Sequence, residues 1–213
     1  LAILKSDPET RHFRLIPLAW SAEEVSSAVR DEAQTWLQES SEAARLIGAS
    51  LLVNDPVRKN AARAALRELA TSTDKRLQVL AQMQGWRLEL AAESISDLEI
   101  LHWQDRINEL SPDLRAGPAY VLGSAYAARH DYELAAATLL WLPLVDDHDF
   151  RLSARACLEA GQALDKIGQH AEAQELFREV SQRFGESPSG ALARRLLKAA
   201  AGLSEPVRKG TTK

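Results

Sequence analysis

The amino-acid sequence predicts an all-α fold, in which about ten helices stack as an α–α superhelix behind a short extended N-terminal arm. Ala and Leu are abundant and runs of β-branched residues are scarce, a composition that favours helices over strands. The 10 glycines and 8 prolines lie mostly where helices should end. With 213 residues, 46% of them apolar, the chain is long enough to bury a sizeable hydrophobic core.

Residues 1–20 lack a helical pattern. Pro17 cannot sit inside a helix, so we expect this stretch to form an extended arm that packs on the first helices or continues from a preceding domain. Ser21 and Glu24 then have the S-x-x-E spacing of a capping box, in which each side chain accepts a hydrogen bond from the backbone at the start of a helix. This spacing predicts that the first helix begins at Ser21.

Helical hairpins are expected to follow over residues 21–112. One helix should end near Val53, Pro56 stands in the first turn of the next, and Asp74 caps a third. A further helix is predicted within residues 94–112, where apolar residues recur at helical spacing. Small residues on the packing faces of these helices would allow close approach between neighbours.

The clearest hairpin lies in residues 154–187. Gly161 leaves room on its first helix, Gly168 and Gln169 suit a turn, and Ala173 lets the second helix pack back at short range. We therefore expect the two helices of this hairpin to touch at Ala173.

This spacing resembles a tetratricopeptide repeat, a two-helix unit of about 34 residues. The family's small, large and aromatic positions are matched by Gly161, Leu164, Gly168, Ala173 and Phe177, and a second copy in residues 116–149 has Gly123, Tyr126, Tyr132, Ala135 and Leu139 at the same offsets.

Two further features concern where these repeats end. Pro143 should stop the second helix of the upstream copy near Leu142, which leaves residues 144–149 as an acidic connection. A last helix from Pro188 should cap the stack, and residues 203–213 have nothing to bury and are expected to be disordered.

The segment before the tetratricopeptide-like copies is similar to a HEAT repeat, because Val57 and Arg58 precede an Ala-rich helix. The resemblances therefore assign residues 21–112 to HEAT-like repeats and residues 113–202 to tetratricopeptide repeats with a C-terminal capping helix. Residues 21–202 would form one continuous solenoid. The order of the pieces is similar to that of tetratricopeptide proteins of bacterial envelopes, which implies a periplasmic or envelope location, with the cytoplasm as the alternative.

Motifs of catalysis are absent from the sequence. It contains no phosphate-binding glycine loop, no H-E-x-x-H and no G-x-S-x-G, and its five histidines are isolated. Residues 146–149 are acidic but lack the Gly and the bidentate Glu of a calcium loop, so we interpret them as a solvated loop. Cys157 is expected to be a buried structural thiol. Core packing is expected for the four tryptophans that fall in helical apolar stripes, Trp36, Trp86, Trp103 and Trp141. We expect neither an enzyme nor a protein that holds a cofactor or a metal ion.

Charge and hydropathy narrow the class of partner. The net charge of −4 argues against nucleic acid. No run approaches the roughly 20 apolar residues that a membrane span needs. The tetratricopeptide resemblance implies a protein or peptide partner.

The tetratricopeptide resemblance implies a non-catalytic scaffold that binds such a partner in a concave groove. Carried over from the family, the groove residues are Gly117, Tyr120, Ser124, Ala127 and Ala128 in the upstream copy, and Arg155, Leu158, Gln162, Asp165 and Lys166 in the downstream copy. Tyr120 and Leu158 would be the apolar anchors of recognition. The Lys and Asn residues with which some family members bind a C-terminal carboxylate are absent.

Three alternatives stay open at this point. The groove face could be an internal packing surface, or the chain could self-associate. The chain could also be the helical accessory domain of a larger envelope enzyme whose catalytic part lies elsewhere.

Overall fold

A computed structural model describes residues 18–21, 25–90, 95–145 and 149–203, and within these ranges the chain is all-α, as predicted. The described residues form ten α-helices and a single turn of 3-10 helix at Pro112–Leu114, and none of them is in a strand. The helices are α1 (Ser27–Trp36), α2 (Glu42–Leu52), α3 (Lys59–Leu69), α4 (Lys75–Leu90), α5 (Asp97–Asn108), α6 (Ala116–Ala128), α7 (Tyr132–Val145), α8 (Phe150–Lys166), α9 (His170–Arg183) and α10 (Pro188–Leu203).

The chain divides into two compact units, an N-terminal unit of residues 1–131 and a C-terminal unit of residues 132–213. The division falls after residue 131 because α6 packs on α4 and α5 and so belongs to the N-terminal unit. The upstream repeat-like copy, residues 116–149, is therefore shared between the two units.

Small residues set the spacing of the first helices in the N-terminal unit. A Cβ atom on Gly48 would lie 2.6 Å from the carbonyl oxygen of Ala33, so α2 packs on α1 at a distance that only glycine allows. The core of this unit contains Leu18, Ala33, Trp36, Leu37, Leu46, Ile47, Leu52, Leu66, Leu69, Leu77 and Leu80.

Among the described residues, no helix runs from the predicted cap at Ser21 through Val25 and Ser26, which are non-helical. In the structure α1 begins at Ser27, and the Ser26 hydroxyl caps it by accepting a hydrogen bond from the Val29 N–H at 3.4 Å. The Ser21 carbonyl instead accepts a hydrogen bond from Arg87, which keeps Ser21 in the arm. Glu24 lies outside the described residues.

The turn between α2 and α3 is held by Asp55, a buried residue whose carboxylate accepts hydrogen bonds from the N–H groups of Val57 (2.9 Å) and Arg58 (2.8 Å). The guanidinium groups of Arg30 and Arg58 lie 3.6 and 3.5 Å from it. Burial acts to raise the pKa of Asp55, but these hydrogen bonds and charges outweigh it, so the pKa lies below its ordinary value. The next turn has the predicted cap, because Asp74 accepts from the N–H of Arg76 at 2.9 Å.

The hairpin of α8 and α9 in the C-terminal unit has the predicted close contact. A Cβ atom on Gly161 would lie 2.7 Å from the Phe177 ring and 3.4 Å from the Ala173 carbonyl oxygen. Ala173 and Phe177 are both buried. The helix α10 packs against the same cluster through the partly buried side chains Leu192, Leu196 and Leu197.

The turn that closes this hairpin recurs at the end of α6. Gly168 has a φ of +83°, and the N–H of the next residue, Gln169, donates to the Leu164 carbonyl at 3.0 Å. His130 has a φ of +66°, and the N–H of Asp131 donates to the Tyr126 carbonyl at 2.9 Å. Both helices thus end in a left-handed residue and the same long backbone hydrogen bond, at matching places in the two repeat-like copies.

We expect Gly168→Ala to lower the free energy of unfolding by about 1 kcal/mol, because an L-residue is strained at this φ. No atom lies within 4 Å of the added Cβ, so the effect measures backbone strain alone. Gly85→Ala in the middle of α4 is the matched control, since its Cβ also meets nothing within 4 Å but its backbone is helical. It should be stabilising, by about 0.5–1 kcal/mol. Urea unfolding followed by circular dichroism checks both values, and equal signs would contradict the interpretation.

Pro143 does not stop α7 near Leu142, in contrast to the prediction. The helix contains Pro143 and continues to Val145. Pro143 lies in the last turn of the helix. Because proline has no backbone N–H, α7 loses one hydrogen bond there, which costs less at the end of a helix than in its middle. Asp149 then caps α8 by accepting from the Leu152 N–H at 3.0 Å, while residues 146–148 and the tail from 204 lie outside the described residues.

None of the helices in the described part of the chain is both long enough and apolar enough to cross a lipid bilayer.

Candidate functional site

The described end of the arm, residues 18–21, is a non-helical segment whose main chain is held by two helices of the N-terminal unit, α2 and α4. The Ala19 N–H donates to the Ser50 hydroxyl of α2 at 3.2 Å. The Ala19 carbonyl accepts from the Gln84 amide of α4 at 3.2 Å and from Arg87 Nη1. Arg87 Nη2 donates to the Ser21 carbonyl at 3.0 Å. The described part of the arm is therefore non-helical and packed on the helices, as expected.

Arg87 is the centre of this network, and it is buried. Its Nη1 also donates to the Ser50 carbonyl at 2.8 Å and to the Gln84 side-chain oxygen at 2.7 Å. Burial lowers the pKa of Arg87 to about 10, and the phenol of Tyr120 acts electrostatically in the opposite direction. At neutral pH the guanidinium thus stays charged, and oxygen atoms of the main chain and of Gln84 take up its hydrogen bonds.

The side chains of the arm segment also fill places on the helices. Leu18 is buried in the core of the N-terminal unit. Trp20 lies directly on Gly117 at the start of α6, where an added Cβ atom would come within 2.0 Å of the indole ring. Because Gly117 has no side chain, the indole ring of Trp20 can pack directly on its backbone.

This packing corrects the predicted groove on α6. Gly117 is covered by Trp20, and Tyr120, the expected anchor, is only 4% exposed and lies near Arg87. Of the other predicted positions on this helix, Ser124 and Ala127 are half-buried and Ala128 is exposed. Tyr120, the expected apolar anchor on α6, is thus part of an internal surface.

The predicted groove on α8 also lacks its anchor. Leu158 is 0% exposed, because it belongs to the core of the C-terminal unit between α8 and α9. The polar positions remain accessible: Arg155 and Gln162 are half-buried, and Asp165 and Lys166 are exposed. Arg155 pairs with Glu159 at 2.5 Å, and Asp165 with His170 Nδ1 at 2.7 Å.

An open concavity that the sequence did not predict lies between α4 and α5, and we name it the tryptophan groove. Its volume is about 500 Å³. At its floor the rings of Trp86 and Trp103 stack on each other, with centroids 4.7 Å apart and planes inclined by 10°. The lining residues are Gln82, Met83, Trp86, Glu89, Glu99, His102, Trp103 and Arg106.

The tryptophan groove has a buried apolar floor and a polar rim. Met83, Trp86 and Trp103 are buried, with exposed fractions of 1%, 8% and 2%. The exposed rim residues are Gln82, Glu89, Glu99 and His102. Both tryptophans were predicted to pack in the core, which is confirmed. The sequence feature that could have indicated the groove is the presence of one tryptophan on each of two consecutive helices.

The rim carries carboxylates at one end and a cation at the other. Burial, and then the charge of Glu99, raise the pKa of Glu89. Hydrogen bonds from the Ser96 hydroxyl and N–H lower the pKa of Glu99 and complete the capping box of α5. At the opposite end, Arg106 donates to Gln82 across the groove at 3.3 Å and pairs with Glu109 at 3.0 Å.

The described residues contain no group of three His, Cys, Asp or Glu side chains that could hold a metal ion. Cys157 is buried, as expected, and burial raises the pKa of its thiol to about 12, so the thiol is protonated at neutral pH.

Comparison with known proteins adds no assignment, because no family model, no curated protein and no solved structure matches this chain.

Proposed function

We propose that the chain is a non-catalytic helical-repeat scaffold that binds protein, with the tryptophan groove as its contact site. The observation that carries this proposal is the anatomy of the groove. A buried floor of aromatic and Met side chains under an exposed polar rim is the arrangement of protein-binding sites, in which apolar anchors supply affinity and the rim supplies specificity. Its volume of about 500 Å³ suits a few side chains of a partner segment.

The helical-repeat part of the proposal draws support from the two hairpin turns. Left-handed residues at His130 and Gly168 close α6 and α8 with the same backbone hydrogen bond. The small-residue contact of Gly161 with Phe177 adds the close helix packing that tetratricopeptide hairpins show. The contact site moves from the face predicted by resemblance to the tryptophan groove, because Tyr120 and Leu158 are buried.

Site-specific photocrosslinking tests the proposal. A photoreactive amino acid at Gln82, on the groove rim, should give a discrete protein adduct in the native source. The same amino acid at Ala64, an exposed position of α3 in the same unit, is the matched control and should give none.

The partner identified in this way is then measured as a purified protein. Gln82→Trp adds bulk at the rim and should weaken binding by about tenfold or more, whereas Ala64→Trp should leave it unchanged. Equal affinities for the two variants, or adducts that do not depend on the crosslinker position, would contradict the proposal.

A further inference from the structure

A hydrogen bond, a ring stack and an electrostatic interaction between α4 and α5 define the polarity of the tryptophan groove. Along α4 the order is Gln82, Trp86, Glu89, and the residues that face them on α5 come in the reverse order, Arg106, Trp103, Glu99. The two helices therefore run antiparallel. Each end of the groove has a defined charge, with the carboxylates of α4 and α5 together at one end.

The charge at the two ends is not equally neutralised. At the basic end Arg106 is paired with Glu109 and is hydrogen-bonded to Gln82. At the acidic end Glu99 is held by the hydroxyl and N–H of Ser96, which are neutral groups. In the part of the chain that the structure describes, no cation forms an ion pair with Glu89 or Glu99.

We propose that the acidic end of the tryptophan groove binds a lysine or arginine side chain of the partner, an inference that rests on the proposed protein-binding function. The cation would lie between Glu89 and Glu99, where it relieves the repulsion between the two carboxylates. The aliphatic stem of the same side chain would lie along the apolar floor beside Trp86, as long basic side chains do when their charged ends stay in contact with water.

A partner with an acidic side chain at this end is disfavoured by the same charges. A third carboxylate would meet two others at short range, and like charges at an interface oppose binding. A neutral apolar segment could pack on the floor, but it would leave the repulsion between Glu89 and Glu99 in place. Charge complementarity therefore favours a partner with a lysine or arginine side chain at this end.

The test uses the full chain and three short probe peptides, N-acetylated Ala-Lys-Ala amide and its counterparts with Gln or Glu in the centre. Binding is followed by the NMR signals of the indole N–H groups of Trp86 and Trp103. The lysine peptide should cause saturable shifts, weaker at high salt, and should bind more tightly than the glutamine peptide. Glu89→Gln should weaken lysine binding by about two- to fivefold, the range expected for a partly exposed ion pair.

Asp105→Asn is the matched control, since it removes one carboxylate charge from an exposed position of α5 that does not line the groove, and it should not weaken lysine binding. Equal affinity for the lysine and glutamine peptides, tighter binding of the glutamate peptide, no binding of any peptide, or no effect of Glu89→Gln would each overturn the inference. Crosslinking at Gln82 separates the two proposals. If a partner is crosslinked there but the lysine peptide fails, the protein-binding function stands and the inference of a basic side chain is wrong.

Discussion

Arg87→Ala is expected to lower the free energy of unfolding of the N-terminal unit by about 3 kcal/mol or more. The guanidinium donates to the carbonyls of Ala19, Ser50 and Ser21 and to the Gln84 side chain, and the substitution removes all of these hydrogen bonds. Each buried group that loses its only partner costs about 1–3 kcal/mol. The arm segment would keep only the hydrogen bond from the Gln84 amide to the Ala19 carbonyl as its attachment to α4.

Two companion variants make this result interpretable. Arg87→Lys keeps the charge but cannot present the planar fork of donors, so it should fall between wild type and Arg87→Ala. Arg67→Ala, on the exposed side of α3, removes an arginine of the same unit and should stay within about 0.5 kcal/mol of wild type. Urea unfolding monitored by circular dichroism gives all three values. A loss below about 1 kcal/mol for Arg87→Ala would mean that water replaces the guanidinium and that the arm does not depend on it.

Phe177→Ala should destabilise the C-terminal unit by about 3–5 kcal/mol, the cost of deleting a buried aromatic side chain and leaving a cavity. Phe177 is 4% exposed and its ring fills the space above Gly161, which has no side chain with which to close the gap. Leu134→Ala in α7 is the control, because Leu134 is 52% exposed in the same unit. Thermal unfolding that moved equally for the two variants would show that the hairpin of α8 and α9 is not the core of this unit.

The local spacing of residues was sufficient to predict the helices and the hairpin of α8 and α9. The contact of Gly161 with Phe177 follows from a small residue on one helix facing a large one on the next, across a turn that Gly168 makes possible. All of this information lies within one short stretch of the chain. The Asp74 cap was predictable for the same reason, since it depends on residues two positions apart.

The arm network was not predictable, because its contacts join residues far apart in sequence. Arg87 reaches the Ala19 carbonyl across 68 positions, and no helical periodicity reports such a pairing. Ser21 belongs to the same network, since its carbonyl accepts a hydrogen bond from Arg87, 66 positions away.

The candidate site was predicted only in part, for a related reason. Family offsets placed Tyr120 and Leu158 on an accessible face, yet both are buried: Tyr120 on α6, which packs on α4 and α5, and Leu158 in the core of the C-terminal unit. Trp86 and Trp103 were correctly predicted to be buried. That they form the floor of a groove depends on how α4 and α5 pack, which the spacing of residues within each helix does not determine.

The single cysteine gives the unmodified chain a built-in chemical reporter. Cys157 lies in the core of the C-terminal unit, so a thiol reagent can reach it only when that unit opens. Four of the five tryptophans lie in the N-terminal unit: Trp20, Trp36, Trp86 and Trp103. The rate of thiol labelling and the intrinsic fluorescence therefore follow opposite halves of the same molecule. A comparison of the two signals in one denaturant series measures the cooperativity between the units without any engineered label.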